Sequence, residues 1–329
     1  MKKILIAALR ASVIALCALF ISCGKKIMDS QTQYVFGTVC TVNLYADGSE
    51  ELYAEVFKTL NGIDDKFNVN KEYSEISKVN QNAGSGNAVS VSQEVFEVVK
   101  VAKKVAKASE NSFNPALGKL IRLWGIGTEN ARIPSEDEIA DALKHCNPES
   151  IVLSQNDGKY FIEITDRETQ IDLGAIVKGY GADQLAAMLE SRGVKKALID
   201  LGGNIYVFGN KSQNPDDLWR VAIRNPVNPD AEPVEVVSLK EGSVVTSGNY
   251  ERYFEKDGIR YHHLLDGNTG YPAQTGLASV SVIGKQSMYC DALATAFFVA
   301  GKSGDILDKL DILEIKKIFV ALDGKIVIK

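Results

Sequence analysis

Turns built on glycine constrain this chain most. Asn156-Asp157-Gly158, Glu241-Gly242, Lys256-Asp257-Gly258 and Asp323-Gly324 each separate two short runs with the composition of strands. Strands joined by so few residues must run antiparallel, because a parallel return needs a crossover of about a dozen residues or more. Helical periods stand between these hairpins. Residues 47–67 carry an apolar face of Leu52, Val56, Leu60, Ile63 and Phe67, with a capping-box start at Asp47 and Glu50. Further helices are expected over 92–108, over 135–146 from a cap at Ser135 and Glu138, over 175–192 up to Gly193, and over 288–299. Strands are expected over 34–45, 197–200 and 205–208. This order means an α+β fold of antiparallel or mixed sheets with packed helices, not a doubly wound parallel sheet.

The first residues stand apart from that body. Lys2 and Lys3 precede an apolar run over 4–21, broken by Arg10 and Ser12, which reads as an export signal over residues 1–22. The run is short for a membrane span, which needs about 20 apolar residues, and Gly24-Lys25-Lys26 follows closely. Ser22-Cys23 resembles a bacterial lipobox, so Cys23 is expected to be the lipidated first residue, with an ordinary signal peptide or an uncleaved anchor as alternatives. Residues 23–33 then form a polar tether and residues 34–329 the folded domain. That places the chain in the bacterial cell envelope, on the periplasmic side, lipid-anchored to the inner membrane.

Of the five cysteines, Cys17 lies in the expected signal and Cys23 would be acylated. Cys40, Cys146 and Cys290 are too widely spaced for a disulfide framework or a CxxC metal site, and read as small buried apolar residues. With a formal net charge of -5 and scattered lysines, nothing argues for nucleic acid as a partner, and none is expected.

Chemistry concentrates between Thr246 and Thr295. This stretch holds Thr246-Ser247-Gly248, then His262-His263-Leu264-Leu265-Asp266-Gly267-Asn268-Thr269-Gly270, then Asp291-Ala292-Leu293-Ala294-Thr295. Asp291 and Thr295 are four residues apart, so on a helix their oxygens share a face, and hard oxygen donors suit Mg²⁺. One buried polar contact is the plainer reading of such a pair. The apolar neighbours Ala292, Leu293, Ala294, Phe297 and Phe298 favour a cation, because a buried carboxylate needs a partner. The three histidines, His145, His262 and His263, form no His/Cys cluster in the sequence, so nothing there points to zinc.

The run from Asp172 to Gly179 sets a carboxylate before a helix and Lys178 in its first turn. It suits a phosphate at the helix N-terminus, and equally a capped helix with Lys178 on the surface. Neither GxxxxGK[ST] nor a placed GxGxxG occurs. Adjacent residues on a strand face opposite ways, so at most one of His262 and His263 points into a site. The glycine-rich turn that follows suits that histidine to acid/base or hydrogen-bonding work.

Taken in order, Phe36-Gly37-Thr38, residues 73–80, Phe113-Asn114-Pro115-Ala116-Leu117-Gly118, Leu123-Trp124-Gly125, residues 172–179, Asp200-Leu201-Gly202-Gly203-Asn204, Thr246-Ser247-Gly248, residues 263–272 and residues 291–295 resemble the ApbE family of FAD:protein FMN transferases. The resemblance implies a T-fold-like body with the flavin nucleotide in a cleft. It implies that the Ala175 carbonyl, Asp291 and Thr295 hold Mg²⁺ against the pyrophosphate of FAD, the substrate. Phe36, Asn70, Asn114, Pro115, Ala116, Asp172, Lys178 and Leu264 match positions that line the FAD site. His263 is the candidate for proton transfer or charge stabilisation, and Asp291 a second candidate for taking the proton.

The reaction implied is attack by a threonine hydroxyl of an acceptor protein on the riboflavin-side phosphorus, with AMP leaving. The implied acceptors are subunits of membrane redox complexes. Two positions depart from the pattern: Asn70 stands where tyrosine is common, and Asn114 where aspartate is. Loss of the ring at residue 70 opens a second reading, a Mg²⁺-dependent FAD pyrophosphatase in which water replaces threonine. A third is a lipoprotein that binds FAD without turnover, against which the retained Asp291 and Thr295 weigh.

Overall fold

The structure is a computed structural model that describes residues 30–209, 217–301, 306, 309–310 and 314–329. Cys23 and the signal segment lie outside the described residues. The chain opens with strands β1 (Ser30–Val35) and β2 (Thr38–Asn43), followed by helices α1 (Glu50–Phe67) and α2 (Glu75–Gln81). Next come β3 (Val89–Val91), α3 (Gln93–Ala108), α4 (Gly118–Trp124), α5 (Glu136–Leu143), β4 (Ile151–Asn156) and β5 (Lys159–Ile164). Helix α6 (Val177–Ser191) leads to β6 (Ala197–Leu201), β7 (Asn204–Phe208), β8 (Trp219–Ile223), β9 (Glu235–Leu239) and β10 (Gly242–Gly248). Strands β11 (Tyr253–Lys256), β12 (Ile259–His262) and β13 (Leu277–Gly284), helix α7 (Ser287–Ala300), and strands β14 (Lys316–Ala321) and β15 (Ile326–Ile328) follow.

Eight strands form the main sheet in the order β1-β2-β6-β7-β10-β13-β14-β15. Smaller sheets pair β3-β5-β4, β8-β9 and β11-β12. All ladders among the described strands are antiparallel, as the glycine turns require, and the fold is α+β.

Helix α7 is apolar apart from the stripe of Ser287, Asp291 and Thr295 and is therefore a central helix rather than a surface one. Leu293, Phe297 and Phe298 are fully buried, among Val280 and Val282 of β13 and Val98 and Val99 of α3. Each such side chain contributes about 1.5–3 kcal/mol on burial, and together they hold Asp291 at 3% exposure in the core. On the other part of the sheet, Val56 and Leu60 of α1 pack on Val42, Ile199 and Leu201.

Several boundaries differ from the sequence expectation for identifiable reasons. The tether expected over 23–33 ends earlier, because Ser30 to Gln33 pair with β2 in register Ser30↔Asn43 to Gln33↔Cys40. The single strand expected over 34–45 is broken by a two-residue turn, with Phe36 and Gly37 both at positive φ, 55° and 70°. Phenylalanine is not a turn residue by propensity, so no local signal marks it. Ser49 caps α1 by accepting from Leu52 N at 3.3 Å, whereas the Asp47 carboxylate is drawn away to Lys195 N at 2.8 Å. Glu241-Gly242 is no hairpin: it carries the chain from β9 in one sheet to β10 in another. Helix α6 begins at Val177, two residues later than the expected 175, and an isolated parallel bridge, Leu117↔Gln170, precedes it. The capping box of Ser135 and Glu138, the helix after Ser92, and the turns at 156–158, 256–258 and 323–324 stand where the sequence puts them.

Candidate active site

Two helices that are distant in sequence cross at the site. Helix α6 meets the start of α7 closely because Gly179 has no side chain, and a Cβ there would lie 2.3 Å from the Ser287 carbonyl oxygen. Asp291 Oδ2 accepts from the Gly179 N–H at 3.0 Å. Lys178 Nζ lies 3.3 Å from Asp291 Oδ1 and 3.1 Å from the Gly174 carbonyl, which joins the turn before α6 to α7. One helical turn beyond Asp291, the Thr295 hydroxyl is 3.3 Å from the Ser247 hydroxyl of β10.

These groups fit a hard divalent cation. Gly179 N–H is turned to Asp291, and among the described residues no backbone N–H donates to the Ala175 carbonyl, so that oxygen keeps its acceptor capacity. A carboxylate, a carbonyl and a hydroxyl make an oxygen-only donor set, the type that Mg²⁺ takes. Burial of Asp291 costs several kcal/mol unless a cation answers it, and Lys178 provides one positive charge at the edge.

The histidine pair divides as the strand geometry requires. His262, buried at 4% exposure, packs edge-on against Phe298 with ring centroids 5.5 Å apart, and its Nε2 is 3.1 Å from the Ala273 carbonyl. His263 turns the other way. Its Nδ1 is 3.2 Å from the Arg252 carbonyl, which accepts only, so Nδ1 carries the proton and Nε2 is left with its lone pair. Burial, with lesser help from the charges of Arg252, His262 and Lys178, pushes the His263 pKa down to about 4. The ring is therefore neutral near pH 7, with one nitrogen able to take a proton.

The remaining expected residues fall into one connected group, with one exception. Asp172 N donates to the Pro115 carbonyl at 2.9 Å, and Gly118 N to the Gln170 carbonyl at 2.9 Å, which holds the 113–118 segment beside Asp172. Asp172 Oδ1 accepts from Gly174 N at 2.9 Å, while burial raises its pKa against the opposing charges of Arg122, Arg252 and Lys178. Asn114 is engaged internally, donating to the Cys146 carbonyl and accepting from Ala116 N, both at 2.8 Å. It supports the loop through neutral hydrogen bonds, which need no carboxylate. Leu264 is buried and its carbonyl accepts from Ala273 N at 2.9 Å. The Phe36 ring lies over Gly181 of α6, where a Cβ would meet it at 3.2 Å, and Arg252 Nη2 ties the neighbouring Gly37 carbonyl at 3.1 Å. Asn70 is exposed on the loop after α1, its N–H on Asn68 Oδ1 at 2.9 Å, and no hydrogen bond joins its side chain to the group.

The sequence reading passed over Arg252 and Asp183, and it named Ser247 and Gly179 within motifs without giving either a role of its own. A glycine inside a helical pattern signals close approach, so Gly179 had a readable cue. The three cysteines in the fold, Cys40, Cys146 and Cys290, are buried and free, with burial raising each thiol's pKa. Away from this site, Asp141, His145 and Glu168 bring potential ligand atoms within 4.8 Å of one another, a grouping the sequence spacing hides. Lys119 already sits there, 2.8 Å from Asp141 and 2.6 Å from Glu168.

The ApbE family profile matches residues 36–315. The FAD:protein FMN transferase of Treponema pallidum (strain Nichols) is 37% identical over 296 residues, covering 85% of this chain and 82% of that protein. That of Klebsiella pneumoniae (strain 342) is 34% identical over 272 residues, covering 83% and 82%. Among solved structures, the ApbE protein of Thermotoga maritima superposes with a TM-score of 0.80 at 31% identity, covering 91% of this chain and 96% of that one. The flavin transferase ApbE of Vibrio cholerae gives 0.78 at 26% identity with the same coverage. The match runs from the Phe36 turn past the helix that carries Asp291 and Thr295, and with it this chain belongs to the ApbE family of enzymes.

Proposed function

We propose that this chain transfers FMN from FAD to a threonine of an acceptor protein, releasing AMP, with Mg²⁺ at Ala175, Asp291 and Thr295. The observation that carries the reading is the buried carboxylate Asp291, in an oxygen-only donor set at the α6–α7 crossing and linked by Lys178 to the Gly174 turn. Its company is a neutral histidine with a free nitrogen and a family whose members above are FAD:protein FMN transferases.

Mg²⁺ held by the Ala175 carbonyl, Asp291 and Thr295 would supply charge neutralisation for the FAD pyrophosphate, where most of the catalysis of phosphoryl transfer lies. Lys178 adds a fixed positive charge beside it. His263 Nε2 accepts the proton of the threonine hydroxyl as its oxygen bonds to the riboflavin-side phosphorus. The bond from that phosphorus to the bridging oxygen breaks, and AMP departs with the electron pair. Phe36, held in a strained turn, and Leu264 would supply apolar contact for the flavin nucleotide, and the Asn114 to Ala116 loop and Asp172 would supply the polar part of its lining. The acceptors would be subunits of membrane redox complexes on the periplasmic side, reached from a lipid anchor at Cys23.

FAD pyrophosphatase activity is the second reading, favoured by Asn70. An exposed amide stands where a ring would otherwise cover the nucleotide, and water is then better admitted. Incubation with FAD and Mg²⁺, with and without an acceptor polypeptide, separates the two. AMP together with flavin fluorescence on the acceptor band of a denaturing gel, only when acceptor and Mg²⁺ are both present, is the result expected. AMP and free FMN without acceptor would assign the hydrolase, and intact bound FAD under all conditions would overturn both.

A further inference from the structure

The donor set is split between two elements: Ala175 precedes α6, while Asp291 and Thr295 ride on α7. Their spacing depends on how far α7 is slid and rotated along α6. The two helices fix this by exchanging carboxylates. Asp291 of α7 accepts from Gly179 N of α6 at 3.0 Å. One turn further along α6, Asp183 accepts from Ser287 N at 2.8 Å and Met288 N at 2.9 Å, the first two residues of α7.

We propose that Asp183 is a positioning residue of the active site, its carboxylate setting the register of α7 on α6 and so the separation of the metal-donor oxygens. The proposal rests on the reading of Ala175, Asp291 and Thr295 as Mg²⁺ ligands. Helix α7 has no side-chain cap of its own, since Gln286 at the N-cap position makes no capping bond, and Asp183 supplies one from the neighbouring helix. Two carboxylate oxygens on two adjacent N–H groups restrain both translation and rotation, which a single bond would not do. The same end of α7 is pinned to the main sheet, because the Ser287 hydroxyl lies 2.8 Å from Asn204 Oδ1 of β7 and 2.8 Å from the Ser243 hydroxyl of β10. Asp183 itself makes no hydrogen bond to Ala175, Asp291 or Thr295, so its influence on the metal passes through the helix.

The test is a Mg²⁺ titration of FAD binding by the full chain in detergent, read from flavin fluorescence, for the wild type, Asp183→Asn and Asp183→Ser. Asparagine keeps the shape and one acceptor oxygen but sets an NH₂ against the second N–H. The Mg²⁺ concentration for half-saturation should rise about 10- to 100-fold, as when groups that orient metal ligands are removed. FAD affinity at saturating Mg²⁺ should return to the wild-type value, and in turnover the KM for Mg²⁺ should rise with kcat largely recovered. A purely structural role would lower the melting temperature and leave the Mg²⁺ midpoint in place, which would overturn the proposal. A wild type with no Mg²⁺ dependence would overturn the metal reading itself and this inference with it. Failure of both variants to fold would also overturn it, making Asp183 a folding residue.

Discussion

Lys178 Nζ stands 3.3 Å from Asp291 Oδ1 and 3.4 Å from Oδ2, on a carboxylate that is 3% exposed. Asp291→Asn keeps the volume but leaves Lys178 without its counter-charge and deprives the donor set of its only carboxylate. A lost metal contact in a charge-developing reaction is worth several kcal/mol, and about 3 kcal/mol is about 150-fold in rate. AMP release and flavin transfer should both fall by about that factor, measured by chromatography of the nucleotide and in-gel fluorescence. Unchanged rates would remove Asp291 from the metal site.

His263 gives the reaction an acid limb. Its pKa is depressed to about 4, below the ordinary 6.5, so the base is available throughout the neutral range and is lost only as pH falls toward 4. kcat/KM should be level from about pH 6 to 8 and fall below about pH 5. In His263→Gln that limb should disappear and the level rate drop by about 100-fold. The stability effect has the same sign: a depressed folded pKa contributes stability that is present above 6.5 and lost as pH falls through about 4, and His262, also near 4, adds to it. Asp183 opposes them. Its pKa is raised from 3.8 to about 6, chiefly by burial, so its contribution is present below 3.8 and lost as pH rises through about 6.

Much of the fold was legible where local chemistry decides it. The capping box at Ser135 and Glu138 and the glycine hairpins at 156–158, 256–258 and 323–324 are settled by residues near one another in the chain, and they stand where expected, whereas Glu241-Gly242 links two sheets. The apolar surroundings of Asp291 and its spacing from Thr295 marked the candidate site from the sequence, and the structure buries Asp291 as that setting implies. What escaped depends on distant partners: Asp47 leaves its helix for Lys195, and Asp183 caps a helix more than a hundred residues away. The Phe36 turn escaped because tertiary contacts overrule its propensity, and a non-glycine residue at φ 55° costs about 1–3 kcal/mol.

Asn70→Tyr tests the nucleotide cover. Asn70 is exposed and carries no side-chain bond to the rest of the site, so a larger residue meets no packing obstacle visible in its hydrogen-bond partners. Stacking of an aromatic ring on a base is worth about 1–3 kcal/mol, which is about 5- to 150-fold in affinity. FAD titration by fluorescence should show tightening in that range, accompanied by slower AMP release in the absence of acceptor. No change in either would mean that residue 70 does not face the nucleotide.

Gly179→Ala probes the crossing on which the donor geometry depends. The new Cβ would lie 2.3 Å from the Ser287 carbonyl oxygen and 2.7 Å from Met288 Cα, both backbone atoms that no side-chain rotation can move. Relief requires α6 and α7 to separate, and overpacking of this kind costs about 1–3 kcal/mol. The shift would lengthen the Gly179 N–H bond to Asp291 and both Asp183 bonds to α7 together, so stability and metal affinity should fall in the same variant. Thermal denaturation with and without Mg²⁺ reads both: the melting temperature should drop, and the increment gained on adding Mg²⁺ should shrink. Gly62→Ala is the control, since its Cβ meets nothing within 4 Å and it lies inside α1, where alanine is the better helix former. A melting temperature that falls equally in both variants would show that the α6–α7 contact is not what Gly179 protects.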